Sequence, residues 1–125
     1  MTPRRPYLVR AIYDWIVDNQ LTPHLVVNAE YPGCDVPWDF VQDGQIILNV
    51  SPTAVAKLQM NIDAIEFNAR FSGRDAKVYI PMGAVLALYA RENGAGTIFE
   101  PESYYDQEQE KPKQKPSGPH LRVVK

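Results

Sequence analysis

The apolar positions near the start of the chain follow a helical period. Over 7–19, Leu8, Ile12, Trp15 and Ile16 recur at spacings of three and four. Val9, Tyr13 and Val17 widen the stripe, and Arg10, Asp14 and Asp18 supply a polar side. Pro6 fits the first turn of such a helix, where its missing N–H costs nothing, and Thr22-Pro23 ends it. The apolar arc is wider than contact with one sheet needs. It predicts either deep burial or a second partner such as the same helix of another subunit, with Leu8, Ile12, Trp15 and Ile16 as the candidate interface.

Beyond Pro23 the pattern turns β-like. Leu25-Val26-Val27 is a short β-rich run, Tyr31-Pro32-Gly33 is turn chemistry, and 38–41 reads as a second short strand. Asp43-Gly44 marks a hairpin ahead of a strand at 45–50. Ser51-Pro52-Thr53 predicts the cap of a short helical turn through Lys57, then a brief strand at 58–60 and a turn at 61–63. Next comes clean alternation: Ile65, Phe67, Ala69 and Phe71 share one face of a strand, and Glu66, Asn68 and Arg70 the other. The turn at 72–75 leads into 76–80. Pro81 predicts a second helix with Val85, Leu86, Leu88 and Tyr89 on its core side, stopped by Asn93-Gly94. The stretch 95–101 is expected to be a loop that folds back to bury Ile98 and Phe99. A helix, a meander of short strands and a second helix predict an α+β domain on a small, bent antiparallel sheet or open barrel.

The pattern fails after residue 105. Residues 107–120 contain no aliphatic side chain and are rich in Gln, Glu, Lys and Pro. Such a segment cannot bury enough apolar surface to offset its ordering entropy, so it predicts a tether. At its far end stand Leu121-Arg122-Val123-Val124-Lys125. A folded core gives no reason for apolar side chains there, and a docking peptide that finds burial on a partner does. The chain therefore divides into a folded domain over 1–105, a flexible linker over 106–120 and a docking peptide over 121–125. A coil of the linker's length spans roughly 20 Å on average and ~50 Å when stretched.

Composition narrows the function. The net charge of −2 argues against a broad nucleic-acid surface and leaves Arg4, Arg5 and Arg10 as a local basic patch. Cys34 is the single cysteine, so no intrachain disulfide forms and no cysteine cluster holds a metal. No apolar run approaches ~18 residues, which rules out a spanning helix, and a reducing cytoplasm is the simplest address. The imidazoles are His24 and His120, with no nucleophile at a telling spacing. Asp35 and Asp39 lack the dense oxygen alternation of a calcium loop. Gly94-Ala95-Gly96 follows an expected helix, whereas a phosphate loop lies between a strand and a helix. No enzyme, cofactor or metal reading has support. What remains is a peptide groove: sheet edges accept extended peptides, and the 67–71 strand is its preferred wall.

Arg4-Arg5-Pro6-Tyr7-Leu8, Leu21-Thr22-Pro23-His24-Leu25-Val26-Val27, Asp43-Gly44-Gln45-Ile46 and Phe67-Asn68-Ala69-Arg70-Phe71 closely resemble the stringent starvation protein B family. So does the 89–97 run, Tyr89-Ala90-Arg91-Glu92-Asn93-Gly94-Ala95-Gly96-Thr97, and the terminal 121–125 segment looks like that family's binding module for the ClpX unfoldase. The resemblance implies a homodimeric, non-enzymatic adaptor with a small Sm-like or SH3-like open barrel and a dimerising N-terminal helix. It implies that the domain binds the ssrA tag of polypeptides from stalled ribosomes and delivers them to the ClpXP protease. The implied tag site is Phe67, Asn68, Ala69, Arg70 and Phe71, with Val50, Ser51 and Ala54. The linker is shorter and less acidic than in longer-tailed members. The alternative is an RNA-binding or ribosome-associated Sm-like protein that uses the basic patch.

Overall fold

The helical spacing at the N-terminus is realised as α1, Arg5–Asp18, in a computed structural model that describes residues 2–105. The expected linker and docking peptide, 106–125, lie outside the described residues. Val9, Tyr13 and Ile16 turn into the core, and α1 packs on β1, β6 and β7.

The strands are β1 (Pro23–Asn28), β2 (Gln45–Asn49), β3 (Val55–Met60), β4 (Ala64–Phe71), β5 (Arg74–Pro81), β6 (Val85–Ala90) and β7 (Gly96–Ile98). They form two antiparallel sheets, β2-β1-β6-β7 and β3-β4-β5, which are not closed into a barrel. Leu25, Val27, Ile46, Leu48, Val85 and Leu88 from the first sheet join Ile65, Phe67, Val78 and Ile80 from the second in one continuous core. Each such side chain contributes about 1.5–3 kcal/mol when fully buried.

Turn chemistry behaves as the residues require. Asp43 (φ 54°) and Gly44 (φ 76°) are both left-handed, and Gln42 and Gln45 exchange backbone hydrogen bonds of 2.8 and 2.9 Å. That is a two-residue hairpin turn whose twist matches the flanking chain. At the other end of β2, the expected helical turn after Ser51 stops at Ala54, which with Val55 donates to the Ser51 carbonyl. Val55 then enters β3, because β4 offers it and Ala56 antiparallel partners in Ala69 and Asn68. A bulge between Ala56 and Gln59 absorbs the left-handed Lys57 (φ 58°).

Two further expectations are corrected. The stretch 38–41 is no strand: Trp38–Phe40 is a short 3-10 helix, with Phe40 donating to Pro37 O and Val41 to Trp38 O. It satisfies its backbone locally and leaves Trp38 and Phe40 exposed. Pro81 does open a second helix, but only the 3-10 turn Met82–Ala84. Val85–Ala90 is the strand β6, hydrogen-bonded to β1 on one side and β7 on the other. A short, nearly continuous apolar run has the same appearance as a buried helix or an interior strand, and here sheet pairing wins. Asn93-Gly94 accordingly turns a strand: Gly94 donates to Ala90 O and Ala90 to Ala95 O. The 95–101 stretch folds back partly as β7, burying Phe99 but leaving Ile98 80% exposed.

Arg5 ties this framework to the end of the described chain. Its Nη1 donates to the carbonyls of Met82, Gly83 and Val85, and its Nη2 to that of Glu100 at 2.8 Å. Its guanidinium lies 4.6 Å from the Tyr105 ring centre. The Glu102 carboxylate accepts the backbone N–H groups of Arg4 and Arg5, supplying the negative charge that the first turn of α1 lacks.

Candidate functional site

The inner face of β4 leaves the core gradually. Ile65 is fully enclosed and Phe67 is 2% exposed, whereas Ala69 and Phe71 are only half-buried. Toward the end of β4 its apolar face therefore becomes accessible. Phe71 meets the exposed Phe40 ring there, centres 5.7 Å apart, and Val55 stands opposite Ala69 across the β3–β4 ladder. Phe67 itself is core and has no surface to give a ligand; alternation alone could not tell it from Ala69 and Phe71. Phe40 and Val55 are contributions that periodicity did not reveal.

Beside this mouth runs an open cleft of about 730 Å³, whose lining includes Thr53, Ala54, Ala56, Asn68, Ala69, Arg70, Ala76 and Lys77. Small side chains make it wide: Ala69 is paired directly with Val55 on one side and Ala76 on the other. Asn68, Ala69, Arg70 and Ala54 are thus brought together in one lining. Val50 and Ser51 are not part of the lining. Val50 is buried and donates its N–H to Pro23 O, and Ser51 N–H is held by the Asn49 side chain. These two position the 51–54 turn.

Cleft electrostatics are simple. Arg70 and Lys77 are cationic and Asp75 is the lining's one anion. Arg70 Nε meets Asp75 Oδ1 at 3.1 Å, but both side chains are largely exposed, so the pair is weak and an acidic ligand can compete for Arg70. Among the described residues, β2 and β7 are the edge strands of one sheet and β3 and β5 those of the other, so β3 beside the cleft has a ladder on one side only.

The helix residues separate into two groups. Ile16 is 1% exposed and belongs to this chain's own core, and Ile12 is half-buried. Leu8 and Trp15 are exposed, as is Tyr7. Ile98 of β7, a strand that packs on α1, is exposed as well. The basic patch is diminished: Arg5 is buried against carbonyls, and Arg10 stands 3.7 Å from Asp14.

Among the described residues, Cys34 and His24 stand apart from the cleft. Burial raises the Cys34 thiol to about 11, and its Sγ donates to Asn28 O. Burial, then Arg91, lowers His24, which packs edge-on against Tyr89. Among the described residues no helix is long and apolar enough to cross a membrane.

The chain is similar to known proteins over nearly its whole length. The family model described as stringent starvation protein B matches residues 3–125. A curated relative from Haemophilus influenzae, described as a stringent starvation protein B homolog, is 59% identical over 106 residues, covering 85% of this chain and 71% of the relative.

Proposed function

Because the chain belongs to the stringent starvation protein B family, we propose that it is an adaptor that binds ssrA-tagged polypeptides and delivers them to the ClpXP protease. In this reading the domain over 1–105 holds the tag, 106–120 is the leash, and Leu121–Lys125 docks on the unfoldase. The observation that carries it is the β4 face leaving the core at Ala69 and Phe71 beside a cleft holding Arg70 and Lys77. An extended peptide can pair with a free strand edge, seat an apolar side chain at the mouth and present acidic groups to the cations.

Two copies suit this work. Five docking residues bury little area and bind weakly, and a second tail adds an effective concentration near millimolar without new contacts. The uncovered face of Tyr7, Leu8, Trp15 and Ile98 is the surface we assign to self-association. An adaptor of this kind works by positioning, needs no cofactor, and acts in the cytoplasm where ribosomes and ClpXP meet.

Calorimetric titration of an ssrA-type peptide into the full chain tests the reading. Wild type binds with one site per protomer. Arg70→Glu weakens affinity at least tenfold, as does Ala69→Phe, which fills the space beside Phe71. Removing 121–125 leaves peptide affinity unchanged but abolishes stimulation of ClpXP degradation. No binding by wild type, or full stimulation without the last five residues, refutes the corresponding half.

A further inference from the structure

We propose that the proline-containing part of this chain's own tail, 113–119, docks in a second cleft at the point where the described domain ends. This rests on the cleft and on tail chemistry, not on the adaptor reading. The cleft measures about 390 Å³, and its walls include Tyr31, Tyr79, Tyr104 and Tyr105 with Pro32 and Pro81. Tyrosine rings separated by prolines make a ridged apolar surface with polar tips, the kind that receives a polyproline II helix.

Its walls are held in place. Asp35 and Tyr79 exchange two backbone hydrogen bonds of 2.9 Å, which fixes the 29–37 loop to β5. Arg5 grips the Met82 and Gly83 carbonyls and the Tyr105 ring together. Tyr31 donates its hydroxyl to Tyr105 O at 3.2 Å.

Four observations select the tail as occupant. The described chain ends at Tyr105, itself part of the cleft, so the remaining 20 residues start there. Within them, Lys113-Gln114-Lys115-Pro116-Ser117-Gly118-Pro119 places Lys113, Pro116 and Pro119 three residues apart. In a polyproline II helix of 3 residues per turn all three share one edge. Asp63 is the single charged residue of the lining, and Asp35 is bridged to Tyr79 at its margin, which matches Lys113 and Lys115. The buried Tyr105 hydroxyl has no hydrogen-bond partner among the described residues, and a proline segment offers unpaired carbonyl acceptors.

Tethering makes a weak contact sufficient. Ten residues, 106–115, separate Tyr105 from Pro116. They reach at most ~35 Å, so the closed loop is short and the effective concentration is on the order of millimolar. Docking would hitch the leash to its own domain while leaving Leu121–Lys125, two residues beyond Pro119, free to act.

The test compares amide ¹H–¹⁵N spectra of the full chain with those of the full-chain Pro116→Ala/Pro119→Ala variant. The expected result is a shift at Gly33, Tyr79, Gly83 and Tyr104, with Ala56 and Asn68 in the other cleft unmoved. Tyr79→Ala, at a ring that is 37% exposed, removes the same differences while the β1 amides keep their wild-type positions. Excess peptide of sequence 113–119 restores them to the proline variant. Spectra that differ only within the tail overturn the proposal. So do cleft shifts that grow with protein concentration, which would seat the tail of a second copy there.

Discussion

Arg5 is 5% exposed, and four carbonyl oxygens and a tyrosine face take the place of its water. Burial lowers its pKa, while the nearby Tyr105 and Glu102 oppose that shift. A lysine could not replace the planar fork that reaches several carbonyls at once. Glu92 works in the open. Its carboxylate accepts the Thr22 hydroxyl at 2.6 Å and the Thr22 N–H at 2.8 Å, clasping the end of β6 to the start of β1. Those bonds, the hydroxyl first, pull its pKa from 4.5 to about 2. A depressed carboxyl stabilises the fold above its unfolded pKa, and the contribution disappears as pH falls from about 4.5 through about 2. Urea unfolding should therefore separate wild type from Glu92→Gln at pH 7 and bring them together near pH 2. An equal gap at both values would remove the clasp from the account.

Among the elements, β6 and β7 depend on a close approach. A Cβ at Gly96 would overlap the Leu88 carbonyl and the Tyr89 Cα, because the two backbones meet there. Gly96→Ala should detach β7 from β6 at a cost of about 1–3 kcal/mol. That corresponds to a drop in Tm of several degrees for a domain of this size. Amide exchange at Thr97 and Ile98 should accelerate more than exchange in β1. A Gly96→Ala protein with wild-type Tm and exchange would show that the backbone can yield there. Loss of β7 would also remove Ile98 from the face assigned to self-association.

For the whole molecule the decisive quantity is the area that α1 leaves uncovered. Leu8 and the 50% exposed Trp15 stand two turns apart on one side of α1, and if the proposed pair of copies meets there, charging that side separates protomers without emptying the core. Leu8→Glu/Trp15→Glu should sediment as a monomer at micromolar concentration, keep the wild-type far-ultraviolet spectrum and retain peptide affinity per protomer. A variant that remains dimeric would move the interface to another face. The cleft proposed for the tag and the cleft proposed for the tail share β5 but no lining residue, the first using Asp75, Ala76 and Lys77 and the second Tyr79 and Pro81. The two proposed contacts can therefore be tested by separate substitutions.

Local chemistry sufficed for several features. The α1 stripe, the Asp43-Gly44 turn and the two faces of β4 were legible in the residues, because helix period, left-handed turn preference and strand alternation act between near neighbours. Motif resemblance likewise reached the family. Long-range packing settled the others. Whether 85–90 coils or pairs depends on β1, distant in sequence, as well as on the adjoining β7, and both conformations bury the same leucines and valines. Phe67 and Phe71 share one face of one strand, and only the extent of cover over each separates core from site. Ile16 and Trp15 are neighbours on one helix, yet the core beneath encloses the first and leaves the second half exposed.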